Sequence, residues 1–169
     1  MKAIIERDFL ELLLKHEGII HKICRVYATD SLAKEDLFQE IVIQLWKSFE
    51  HFRNESKIST WMYRIALNTA LTDQRKSKKR VALSFIGTFN EDKADENEAA
   101  IDQDNLNLLY CAIGKLSEID KAIVMLYLED KSYEEMEEII GISQSTLRVK
   151  MNRIKEKLRQ ITKSNQYGT

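Results

Sequence analysis

With 169 residues, 44% of them hydrophobic, the chain is long enough and apolar enough to bury one or two small cores, which excludes a disordered chain. Its 27 acidic and 26 basic side chains leave a net charge of −1, a balance that by itself argues against a nucleic-acid partner. No apolar run reaches the length of a membrane span, and Glu6, Arg7 and Asp8 interrupt the N-terminus where a signal peptide needs an apolar stretch, so a cytoplasmic protein is expected.

Proline is absent and glycine occurs five times, which leaves few strand-bounding turns and predicts an all-α chain. Along it, Ile4, Phe9, Leu12, Leu13, Ile19, Ile20, Ile23 and Tyr27 mark one or two helices, with Gly18 as the point where the pattern can break. The stretch DLFQEIVIQLWKSFEHF follows, with Leu37, Ile41, Leu45 and Phe49 recurring every four residues beside Phe38, Val42 and Trp46 as a wide buried stripe. Asp36, Gln39, Glu40, Ile43 and Lys47 lie opposite. A third helix, STWMYRIALN onward, is predicted to start at Ser59 or Thr60, either able to cap it, and to run into the basic tail QRKSKKR, whose cations suit the negative end of the helix dipole. Trp61, Arg64, Asn68 and Arg75 fall on one face of that helix, and Met62, Ile65, Ala66 and Thr69 on the next.

Residues 84–105 are acidic and poor in periodic apolar side chains, so a flexible linker over 82–105 divides two predicted domains, 1–81 and 106–163, with 164–169 a tail. Downstream, Leu106, Leu109, Tyr110 and Ile113 form a short helix ended by Gly114, and Ser117 with Asp120 resembles an N-cap for the next. Ser132 and Glu135 then have capping-box spacing before Met136, Ile139 and Ile140; Gly141 makes a turn, and Leu147, Met151, Ile154, Leu158 and Ile161 stripe a final helix.

Charge is sorted along this order rather than mixed. Arg53, Lys57, Arg64, Arg75, Lys76, Lys78, Lys79 and Arg80 form one basic patch, and residues 144–163 a second with Glu156 as its sole acid. Because screening limits each charge to about 8 Å at physiological salt, the acidic segments cancel these patches only in the total. SYEEMEEIIGISQSTLRVKMNRIKEKLRQ has the parts of a DNA-reading helix-turn-helix, whose second helix points its N-terminus into the major groove. Gln144, Ser145, Thr146 and Arg148 are then placed for base edges or nearby phosphates, and Lys150, Arg153 and Lys155 for the backbone. An αα-hairpin with a solvated basic face is the plainer alternative. Glu137 stands where such motifs usually put a small residue at the helix crossing.

No catalytic arrangement emerges. Ser31, Ser48, His16, His21 and His51 are unpaired, His16, His21 and Cys24 make a metal site only by generous counting, and Cys24 and Cys111 read as buried free thiols. No metal, cofactor, small-molecule substrate or enzymatic activity is expected. A recombinase-like enzyme would need a strand pattern the N-terminal half lacks; an ordinary repressor or activator that binds duplex DNA unaided is the other rival.

Three stretches, DLFQEIVIQLWKSFEHF, FRNESKISTWMYRIALNTALTDQRKSKKR and SYEEMEEIIGISQSTLRVKMNRIKEKL, make the chain resemble, end to end, a sigma factor of the extracytoplasmic-function type, the smallest group of the sigma-70 family of bacterial transcription initiation factors. The resemblance implies a region-two and a region-four domain bound to core RNA polymerase and promoter DNA. It implies that Asp36, Gln39 and Glu40, with Ile43 beside them and Trp46 nearer the core, dock on the polymerase β′ clamp helices, and that the β flap is a second polymerase contact. It implies a minus-ten site in which the loop of Phe52, Arg53, Asn54, Ser56, Lys57 and Ser59 holds a flipped base and Trp61, Arg64, Asn68 and Arg75 face the melted strand. Periodicity favours Trp61 outward, although either Trp61 or Tyr63 could be the stacking ring. Gln144, Ser145, Thr146, Arg148, Lys150 and Arg153 would read the minus-thirty-five element. Ser145 and Val149 depart from the glycine and serine common there, so promoter preference does not transfer. Family members are commonly restrained by an anti-sigma factor, often membrane-anchored.

Overall fold

The computed structural model describes residues 2–83 and 101–166, and among the described residues the chain is all-α, with seven helices and no strand. It divides into two compact units, Met1–Asp95 and Glu96–Thr169.

Helices α1 (Lys2–Tyr27), α2 (Ser31–Phe49) and α3 (Ile58–Leu83) build the first unit. α1 is one helix: Gly18 is exposed within it and does not break it. A mid-helix glycine costs about 1 kcal/mol against alanine, which the buried Phe9, Ile20, Ile23 and Tyr27 more than offset. The turn into α2 is set by Asp30, whose carboxylate accepts the Ala33 N–H at 2.7 Å. That bond, followed by one from the Thr29 hydroxyl, holds the Asp30 carboxyl below its ordinary pKa. On α2 the predicted stripe is in place, with Leu37, Ile41 and Leu45 buried and Phe38, Val42, Trp46 and Phe49 half-buried beside them.

α3 packs against both α1 and α2, so its first turns have little free surface and Thr60, Trp61, Met62, Tyr63, Ala66, Leu67 and Ala70 are all buried. Lower down, Gln74 Nε2 donates to the Tyr27 carbonyl at 2.7 Å, satisfying an acceptor at the end of α1. The expected start of this helix is corrected. It begins at Ile58, and the Trp61 N–H bonds the Lys57 carbonyl at 3.1 Å, so Ser59 and Thr60 lie inside the first turn rather than capping it.

Helices α4 (Ile101–Gly114), α5 (Glu118–Leu128), α6 (Tyr133–Ile140) and α7 (Gln144–Gln166) form the second unit. Of the linker expected over 82–105, residues 84–100 lie outside the described residues, whereas its two ends belong to α3 and α4. Likewise 164–166 of the expected tail complete α7, and 167–169 lie outside. Ser117 caps α5 by accepting the Asp120 N–H at 3.2 Å. The capping box of α6 is complete: the Ser132 hydroxyl accepts the Glu135 N–H at 3.1 Å, and the Glu135 carboxylate accepts the Ser132 N–H at 3.0 Å. Gly141 then closes α6 in the left-handed region at φ +76°, its N–H on the Glu137 carbonyl at 2.8 Å. α7 rests on α4, α5 and α6 through buried Leu147, Met151 and Ile154.

Candidate nucleic-acid interface

The outer face of α2 carries Asp36, Gln39, Glu40 and Ile43, all exposed, with Ile43 at 43%. The Glu40 carboxylate accepts the Gln44 amide at 2.7 Å, which steadies it one turn from Ile43. Trp46 turns the other way: half-buried, its ring meets Phe9 in an edge contact 5.0 Å between centroids, so it braces the face from behind. Between α2 and α3 runs an open groove of about 730 Å³ in which Asp36 and Glu40 stand opposite Asn68, Asp73 and Lys76. The carboxylate face and the solvent edge of α3 therefore share one depression.

In the loop before α3, Arg53, Asn54 and Lys57 are exposed and Phe52 and Ser56 half-buried, as is Ser59 in the first turn of the helix. Asn54 adopts φ +57°, a left-handed turn that asparagine tolerates better than most residues. The turn brings Phe52 back onto Trp61, ring centroids 4.9 Å apart, while Phe49 lies 6.4 Å from the same indole.

The outward placement of Trp61 is thereby corrected: the side chain is only 8% exposed. A helix wedged between two others buries more than one stripe, and the Phe52 loop covers what the wedge leaves. Tyr63 is buried as well, so neither ring of the pair presents a face to solvent. The line through Trp61, Arg64, Asn68 and Arg75 instead climbs from core to solvent, with Arg64 half-buried and Asn68 and Arg75 exposed.

On α7, Ser145, Thr146, Arg148 and Arg153 are exposed, but several polar side chains are already engaged. The half-buried Gln144 donates its amide to the Glu137 carboxylate at 3.1 Å, which gives that acid a role at the crossing of α6 and α7. Lys150 lies 3.6 Å from the Asp120 carboxylate. The Arg148 guanidinium sits 4.9 Å above the Tyr133 ring, and Lys155 both donates to the Tyr127 hydroxyl at 3.0 Å and lies 4.3 Å from its ring centre. Ser143 shares hydroxyl contacts with Thr146 at 2.9 Å and Ser145 at 3.3 Å. Val149, noted in the sequence only as a departure from the family pattern, and Asn152, which the sequence reading missed, are exposed four and seven positions beyond Ser145.

Among the described residues no group of three or more His, Cys, Asp or Glu could hold a metal ion. His21 stacks on Phe38 at 4.8 Å. Cys24 is buried, and burial pushes its thiol up to about 11, whereas Cys111 is exposed, contrary to the expectation that both thiols are buried. Cys111 lies on the side of α4 away from buried Ala112 and Ile113. No helix among the described residues is long and apolar enough to cross a membrane.

One helical unit thus bears an exposed acidic face on α2 beside exposed basic side chains on α3, and the same chain carries a capped helix-turn-helix. Sigma-70 region 2 matches residues 12–80, and Sigma-70, region 4 matches residues 106–158. The chain is 33% identical over 132 residues to the ECF RNA polymerase sigma-E factor of Haemophilus influenzae, covering 72% of this chain and 70% of that relative. It is 26% identical over 162 residues to the ECF RNA polymerase sigma factor SigW of Bacillus subtilis, covering 89% and 87%. The sigma factor RpoE, crystallised with the anti-sigma factor NepR from Bartonella quintana, shares the fold with a TM-score of 0.78 at 23% identity, over 93% of this chain and 98% of that one. CnrH in complex with the cytosolic domain of CnrY gives a TM-score of 0.64 at 17% identity, over 94% and 90%. The chain belongs to the extracytoplasmic-function group of sigma-70 RNA polymerase sigma factors.

Proposed function

We propose that this protein binds core RNA polymerase in the cytoplasm, brings it to a promoter and holds the melted non-template strand, while the polymerase supplies all the chemistry. Residues 1–81 act as region two and 106–163 as region four, joined by the acidic segment 82–105. The exposed set Asp36, Gln39, Glu40 and Ile43 docks on the β′ clamp helices, an apolar contact ringed by charge, with Trp46 bracing it from inside; the second unit meets the β flap.

For the minus-ten element, Arg53, Asn54, Lys57, Asn68 and Arg75 offer accessible polar groups, with Ser56, Ser59 and Arg64 at the loop's inner margin. Phe52 is the half-exposed ring of the loop, and Trp61 works as the floor under it. Stacking on a ring contributes about 1–3 kcal/mol per base, comparable with the cost of unstacking one step. Ser145, Thr146, Arg148 and Arg153 engage the minus-thirty-five element, with Gln144 and Lys150 tethered beside them. An anti-sigma protein is a further partner, as NepR is for the RpoE of Bartonella quintana.

The observation that carries this reading is the exposed acidic and apolar face of α2 in the same chain as a basic helix-turn-helix, because a free-standing repressor needs only the latter. Gel mobility of promoter DNA with and without core polymerase tests it. A shift that requires core supports the proposal; an equal shift by the chain alone would favour an ordinary repressor.

A further inference from the structure

Five exposed residues on α7, Ser145, Arg148, Val149, Asn152 and Arg153, fall at three- and four-residue steps and so share one face. The core side of the helix is filled by Leu147, Met151 and Ile154, so Val149, left 52% exposed, has no packing task in this unit. The amide of Asn152 has no hydrogen-bond partner among the described residues, in contrast to Gln144, held by Glu137, and Lys150, paired with Asp120. An apolar side chain and an unengaged carboxamide thus lie side by side between two arginines.

The major groove offers a matching pair of features. The thymine C5-methyl is its one apolar group, and the adenine N6 and N7 edge is complementary to a carboxamide. Positions three apart on a helix are separated by about 4.5 Å along its axis, which spans adjacent or next-adjacent base pairs. We propose that Val149 and Asn152 are the sequence-reading pair of this helix, Val149 against a thymine methyl and Asn152 against an adenine edge in a neighbouring pair, with Arg148 and Arg153 flanking them. The inference rests on the proposed minus-thirty-five role of α7 and gives that role a base preference.

The test uses the full chain with core polymerase, selecting duplexes randomised through the upstream element. Each enriched thymine is then replaced by deoxyuridine, which removes only the methyl. One such replacement is expected to weaken binding about fourfold for the unaltered protein and not at all for Val149→Ala. One A·T pair, changed to G·C, is expected to cost about tenfold or more, a penalty that Asn152→Ala levels. Deoxyuridine without effect at every enriched thymine would overturn the assignment, as would variants that select the same sequence with the same penalties. Failure of the underlying reading is distinct: the polymerase complex would then enrich no upstream sequence at all.

Discussion

Trp61 sits between Phe49 and Phe52 with 8% of its surface exposed, so its first duty is to the core of its unit. Trp61→Ala is expected to destabilise that unit by about 3–5 kcal/mol, read as an earlier transition in urea; an unchanged midpoint would show that the ring cluster carries no load. Asn68→Ala removes an exposed amide and is expected to shift stability by less than about 0.5 kcal/mol while lowering permanganate reactivity of the melted region. The two cysteines separate in the same way. A thiol pushed up to about 11 by burial, with the nearby Lys34 charge only partly opposing, is about a thousandth ionised at pH 8. Iodoacetamide followed by mass spectrometry is therefore expected to label exposed Cys111 and spare Cys24 in the folded chain, and equal labelling would contradict that placement.

At the scale of elements, the α6–α7 junction depends on Gly141 at φ +76°. No atom lies within 4 Å of a Cβ built there, so the penalty of Gly141→Ala is backbone strain alone, about 1–2 kcal/mol. Gly141→Asn is expected to cost less, and thermal unfolding of the pair gives the order; alanine tolerated as well as asparagine would argue against the left-handed cap. This junction was legible in the sequence because Ser132, Glu135 and Gly141 act on backbone groups within a few positions of themselves. The buried state of Trp61 was not, because periodicity assigns residues to a face without saying how many neighbours press on the helix, and both α1 and α2 pack on α3. The engagement of Gln144 by Glu137 and of Lys155 by Tyr127 was hidden for the same reason, being pairings across turns. The exposed α2 face was legible because its alternative, the Leu37, Ile41 and Leu45 stripe, was unambiguous.

For the whole molecule, a net charge of −1 conceals two basic surfaces, so salt should weaken DNA binding far more than the total suggests. Arg75→Ala, at an exposed position on α3, is expected to lower affinity for different promoters alike and to flatten the log–log salt dependence by about one unit; an unchanged slope would remove Arg75 from the DNA surface. In the proposed role, the acidic face of α2 recruits the enzyme and the rest of the chain aims it. Run-off transcription with core polymerase, the unaltered chain and the Asp36→Lys, Glu40→Lys double variant tests this most directly. A discrete promoter-dependent transcript is expected with the unaltered chain, and none with a double variant that unfolds at the same denaturant concentration. A transcript of equal yield from the double variant, or none from either protein on any promoter, would contradict it.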